Sequence, residues 1–195
     1  MEAKAKHFEY NTTAVSEEQF TQHLKLYNGY ITKINQITTE IERDPGTSDA
    51  NATFSHYRCL KKGETFSLCG VILHELYFQN LCDSVKTPSA NTTEMLNNSF
   101  GGYEKWKADF TACCLSARGW CVLSYEQRTN TFRNFLQDSH DDGVVCMAYP
   151  LLVMDMYEHA YFLDYATNKD EYIKRFLESV DWDIVGKRID ILGRV

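Results

Sequence analysis

Two residues near the C-terminus set the chemistry to look for. Asp155 closes the apolar, β-rich run 150–154, and His159 follows four positions later in MYEHAYFLDY. A carboxylate at a strand end and an imidazole one turn into the next helix stand close enough to share one ion. The spacing alone has a second reading, a carboxylate at a helix start beside a solvated or core histidine. A metal site needs further ligands, so the elements that carry the other imidazoles come next.

Ser16-Glu17-Glu18-Gln19 reads as a helix start, with Ser16 as N-cap and Gln19 reaching back as in a capping box. Phe20, Leu24, Tyr27, Ile31, Ile34, Thr38 and Ile41 then recur at helical spacing, so a long amphipathic helix runs to about Arg43. Gly29 inside it costs about 1 kcal/mol relative to Ala and predicts a kink or a close contact. Residues 44–55 read as an exposed loop. A second helix over 62–82 carries Phe66, Gly70, Leu73, Tyr77 and Leu81 on one stripe, which makes a helical hairpin.

The polar stretch 84–91 breaks the pattern, so the expected domains are a helical hairpin, 1–84, and a mixed domain, 85–195. The second half opens with a helical region, 94–116, interrupted at Gly101-Gly102. Three β-like runs, 120–125, 131–136 and 144–154, predict a small antiparallel sheet. Helices over 157–167 and 170–180 and an amphipathic tail after Trp182 close the chain, giving an α+β pattern.

At 195 residues the chain is long enough for one sizeable core or two small ones. A net charge of -7 without a basic run argues against a nucleic-acid surface, and an anionic substrate would need a local basic funnel. No apolar run is long enough for a membrane span and the first residues carry no signal-peptide core, so the expected location is the cytoplasm. None of the seven cysteines falls in a CxxC pair, which favours buried free thiols over a disulfide framework or a zinc module.

DMYEHAYFLDY, followed by DEYIKRFLESVDWDIVGKR, resembles the C-terminal signature of the iron/manganese superoxide dismutases, D-x-W-E-H-A-Y-Y-L-D-Y, then a helix, then N-W-D-x-V. The resemblance implies an α+β fold with an N-terminal long helical hairpin and a three-stranded antiparallel sheet flanked by helices. It also implies one Fe or Mn ion per subunit, with one histidine ligand from each long helix. GVILHELYFQNL is similar to the family stretch ending in N-H-x-x-F-Y-W and puts His74 at a ligand position; VSEEQFTQH puts His23 at the other. YITKIN aligns with Y-V-x-x-L-N and gives Tyr30 as the active-site tyrosine. Between these anchors the chain is one residue short of the family. Either a π-type bulge is gained or lost and His23 remains the ligand, or Gln22 falls at its position.

The implied ligand set is therefore His23, His74, Asp155 and His159. Three imidazoles and a carboxylate suit iron or manganese, whereas structural zinc favours four closed ligands and usually some cysteine. Gly70 stands at one of two positions from which the family places a group near the bound solvent. His140 stands at the other, either as that donor or as a loop histidine in HDDG. The chain departs from the family pattern at Leu73, Phe78, Val122 and Tyr157, with only Trp120 left of G-W-x-W. At the family's dimer contact, Leu26 or Tyr27 and Phe162 replace a His–Tyr pair. Glu158, which bonds the partner's metal histidine in the family, is retained.

What the resemblance implies is a superoxide dismutase and a homodimer, with a tetramer left open. Tyr30 would guard the approach and relay protons, His140 would orient bound solvent, and Lys25 and Lys169 would steer superoxide. A second reading is a superoxide dismutase-like protein with a degraded site, acting as a structural or interaction module. A third, a non-haem iron oxygenase, ordinarily uses two histidines and one carboxylate, and no organic-substrate pocket is suggested here.

Overall fold

Ser16 starts the first long helix by accepting a hydrogen bond from the Gln19 backbone N–H. That helix, α1 (Glu17–Arg43), is α-helical throughout in a computed structural model that describes residues 2–192. No bulge or break interrupts it, and a Cβ built on Gly29 would meet open space, so the close contact expected there is not made. The reciprocal half of the capping box is also missing, because the Gln19 side chain turns away to the 159–163 segment.

The second helix, α2 (His56–Gln79), begins and ends earlier than the apolar stripe suggests. Ser55 caps it by accepting from the Arg58 N–H, so a polar first turn extends the helix ahead of its buried face. Helices α3 (Ala90–Phe100) and α4 (Tyr103–Ser116) are parted by Gly101 and Gly102, both at positive φ.

Strands β1 (Trp120–Glu126), β2 (Thr131–Gln137) and β3 (Ala148–Asp155) form an antiparallel sheet in the order β2-β1-β3. The third strand starts later than its apolar run, because Gly143 and Met147 at positive φ make 144–147 a turn. The register sets Trp120 beside Gln137 on one neighbour and beside Asp155 on the other. The sheet thus carries Trp120 and Asp155 to the same end.

The helix expected over 157–167 is instead a 3-10 turn (Glu158–Ala160) followed by the one-turn α5 (Phe162–Tyr165). Tyr161, at φ -146 and buried, takes the backbone out of the helical region between them. Helix α6 (Lys169–Glu178) follows an Asn168 cap, and the amphipathic tail forms α7 (Trp182–Leu192); its last residues, 193–195, lie outside the described residues.

Buried apolar side chains from both halves make one cluster, including Phe20 and Tyr27 of α1, Tyr77 of α2, Phe110 of α4, Leu123 of β1, Leu152 of β3 and Phe176 of α6. Arg188 of α7 fixes the join. Its guanidinium donates to Asn80 Oδ1, to the Leu151 and Leu76 carbonyls and to Gln79 Oε1, tying the end of α2 to β3. Among the described residues all seven cysteines are free thiols, but only Cys82, Cys114 and Cys121 are buried; Cys59 and Cys146 are exposed, against the expectation of a buried set.

Candidate metal centre

Packing α1 against α2 brings His23 and His74 ring to ring, with centroids 5.0 Å apart. The end of β3 and the turn after it bring Asp155 and His159 to the same point. Asp155 Oδ2 lies 3.1 Å from His23 Nε2, 3.3 Å from His159 Nε2 and 3.8 Å from His74 Nε2. One ligand atom from each residue falls within 4.8 Å of every other. His23 and Tyr30 are seven apart, which is close to two turns of a regular helix, so both face the cluster without a bulge. Gln22 points to solvent and pairs with Lys25.

The groups around the cluster fix which atoms face it. His74 Nδ1 donates to the Gly70 carbonyl at 2.6 Å, so in the neutral ring Nε2 is a bare lone pair. That atom is buried and has no hydrogen-bond partner among the described residues. Burial keeps His74 neutral, pulling its pKa down to about 3 with the neighbouring His23 adding to the effect. Burial likewise lowers His23, against the hydrogen bond to Asp155. For Asp155 burial acts upward, but the hydrogen bonds from His159 and His23 outweigh it and hold the carboxyl well below the usual carboxylate range. The other oxygen, Oδ1, accepts from the Tyr157 N–H, and the Asp155 carbonyl accepts from the Tyr172 hydroxyl.

An ionised carboxylate, three imidazoles and an orphaned Nε2 aimed at one point form a donor set that fits a divalent or trivalent transition metal. Among the described residues no lysine or arginine pairs with the Asp155 carboxylate, whose charge a bound ion would neutralise.

A hydrogen-bond chain runs along one side of the cluster. Trp120 Nε1 donates to His140 Nδ1 at 2.9 Å. An indole N–H only donates, so the neutral His140 ring carries its proton on Nε2 and gives it to the Tyr30 hydroxyl oxygen at 2.7 Å. Burial supports this state by lowering His140 to about 4. The Tyr30 oxygen accepts, so its own hydrogen is free to point elsewhere. Both nitrogens of His140 are engaged, and its ring also packs edge-on against His74 at 5.8 Å. Gly70 lets the rings pack close: a Cβ there would come within 3.1–3.2 Å of Tyr30 and His140, which would have to give way by a few tenths of an ångström.

Aromatic rings wall the remainder. Tyr157 stacks on His159 at 5.2 Å, Phe78 packs on His23 at 5.0 Å and Phe66 on His140 at 4.5 Å. Val122, where the family pattern has tryptophan, lines a cavity beside His140. Glu158 and Phe162 lie on the surface around His159 together with Leu26 and Leu163, and Tyr27 is buried on the other side, its hydroxyl donating to Glu75. Lys25 and Lys169 make no hydrogen bond to the cluster among the described residues.

The sequence reading missed what holds the His159 turn. Gln19 Nε2 donates to the His159 carbonyl at 2.6 Å and Gln19 Oε1 accepts from the Leu163 N–H at 3.1 Å. A glutamine three residues after an N-cap gives the same local signal whether it caps or reaches across the fold. Tyr172, too, carried no signal beyond its apolar spacing.

Three histidines and one carboxylate, His159 partly exposed, converge between a helical hairpin and a three-stranded sheet as a candidate transition-metal centre. Residues 88–188 match the model of the iron/manganese superoxide dismutases, C-terminal domain. An iron superoxide dismutase from Aquifex aeolicus is 33% identical over 92% of this chain and 86% of its own length. A manganese superoxide dismutase from Halobacterium salinarum is 31% identical over 90% of this chain and 87% of its own. The chain belongs to the iron/manganese superoxide dismutase family, a family of oxidoreductases.

Proposed function

We propose that this protein is a working superoxide dismutase that holds one iron or manganese ion per subunit through His23, His74, Asp155 and His159. The observation that carries the reading is the unpartnered His74 Nε2, buried and 3.8 Å from the ionised Asp155. When bound, the ion supplies one-electron chemistry in both directions, oxidising one superoxide to O2 and reducing the next to H2O2. The relatives include both iron and manganese enzymes, and the four ligands suit either.

The product H2O2 requires two protons, and Tyr30 is the residue to pass them. Burial raises its pKa, so the hydroxyl is protonated at neutral pH, and His140 holds its oxygen from behind. His140 acts by orienting Tyr30, and Trp120 by fixing the His140 tautomer. Tyr157, Phe66 and Phe78 keep bulk water from the buried imidazoles.

In this reading residues 1–84 and 85–195 act as two domains that each supply two ligands. Glu158 and Phe162 belong to a face on which two copies meet. Seven free thiols suit a reducing cytoplasm, and among the described residues no helix is long and apolar enough to cross a membrane. The competing reading, a non-catalytic module, draws on the cavity left where Val122 replaces an aromatic.

The test is elemental analysis of purified protein beside a superoxide-consumption assay. About one iron or manganese per chain with activity, both lost in His23→Ala, is the expected result. Metal-free, inactive protein from a metal-replete medium would overturn it in favour of the module.

A further inference from the structure

Between α2 and the sheet face that also carries Trp120 lies a partly enclosed cavity of about 190 Å3, walled by Ile72, Val122, Phe135 and Pro150 and reaching His140. Its lining is mostly apolar, with Ser124, Gln137, His140 and the Cys69 thiol as the polar groups, and of these Gln137 alone has an unpartnered buried atom among the described residues. Gln137 is 7% exposed, and its Oε1 is buried without a hydrogen-bond partner among the described residues. A buried amide oxygen without a donor is costly, and a ligand that satisfied it would recover part of that cost. An apolar cavity of about 150 Å3 in another protein takes up benzene, so this one has room for a single aromatic ring.

We propose that this cavity is a binding site for a small neutral molecule made of an apolar ring and one hydroxyl, with the hydroxyl paired to Gln137. A hydroxyl both donates and accepts, so it suits either orientation of the carboxamide. A charged ligand is excluded, since no side chain in the wall carries a compensating charge. Ile72, 44% exposed on α2, borders the opening and gives the ligand its way in. The bound ring contacts His140 and so touches the Trp120–His140–Tyr30 chain. The binding claim stands on cavity shape and chemistry and does not depend on dismutase activity.

Calorimetric titration of the protein as purified with phenol and with toluene tests it. Expected are saturable phenol binding at about 1 mM or tighter, a roughly fivefold or greater preference over toluene from the added hydrogen bond, and loss of that preference in Gln137→Met. Val122→Trp fills the cavity and should abolish binding of both. If that variant misfolds, Ile72→Trp at the mouth, on an exposed helix face, makes the same test. No saturable phenol binding, equal affinity for phenol and toluene in the unmodified protein, or binding that survives the Trp variants would each overturn the proposal. None of these readouts passes through metal content or superoxide consumption, so failure here is separable from failure of the redox reading.

Discussion

His74 is held neutral by burial and aimed by one carbonyl, and those two facts set how the protein responds to pH. Its folded pKa of about 3 lies below the ordinary value of 6.5, so as pH falls below that value the unfolded chain takes up the proton first. Its contribution to the stability of the metal-free protein is therefore lost progressively between pH 6.5 and about 3, at up to about 1.4 kcal/mol per pH unit. Asp155, depressed by its histidine partners, acts in the same direction at lower pH, its contribution fading as pH falls through the folded value. Urea unfolding of metal-free protein at a series of pH values should show this decline and a shallower slope in His74→Gln; equal stability at pH 7.5 and 5 would contradict it. Gln19 sets a second expectation. Gln19→Met strands the His159 carbonyl and the Leu163 N–H, two groups the amide now satisfies. A loss of about 2 kcal/mol follows, together with faster release of metal to a chelator. A variant as stable and as retentive as the parent would mean that the turn is held by something else.

The helices and strands show how local rules carry the site and where they stop. Gly29 lies on the exposed side of α1 with open space around a notional Cβ and an ordinary helical backbone. Gly29→Ala should raise stability by about 1 kcal/mol through helix propensity, read as a higher denaturant midpoint at unchanged slope. A fall would show a contact that the monomer lacks. Gly70 is the opposite case, since its missing Cβ is where Tyr30 and His140 come closest. The hairpin, the sheet and the glycine break at 101–102 were legible because each rests on periodicity or a breaker residue. The four cluster residues were legible through the family pattern, while their spacing alone admitted other readings. The start of α2 was missed because its first turns are polar and only Ser55 marks them. The turn over 144–147 was hidden in an apolar run, and the break at Tyr161 depends on burial that no local pattern encodes. The helix α1 runs unbroken, and seven residues bring His23 and Tyr30 onto one face of it while Gln22 is left exposed.

For the whole molecule, the four cluster residues come in pairs from opposite halves of the chain, so the protein must dock the hairpin on the sheet before the site exists. Arg188 and the shared core hold that docking from the far side. The near side is left open: His159 is only partly covered, and Leu26, Phe162 and Leu163, between 42% and 60% exposed, surround it with apolar surface. A redox centre with one histidine at the surface gains from a cover that excludes water, and apolar rims of this kind are what interfaces between copies bury. A twofold contact would set Glu158 of each copy near the exposed side of the other's centre. Phe162→Glu puts a charge into this patch without touching the buried core, so the monomer should fold as before while self-association weakens by at least tenfold. Circular dichroism and the unfolding midpoint read the first effect, and sedimentation at a series of concentrations reads the second. If the variant remains dimeric, or the parent is monomeric throughout, the face around His159 is open by design and Phe162 owes its exposure to something other than a second copy.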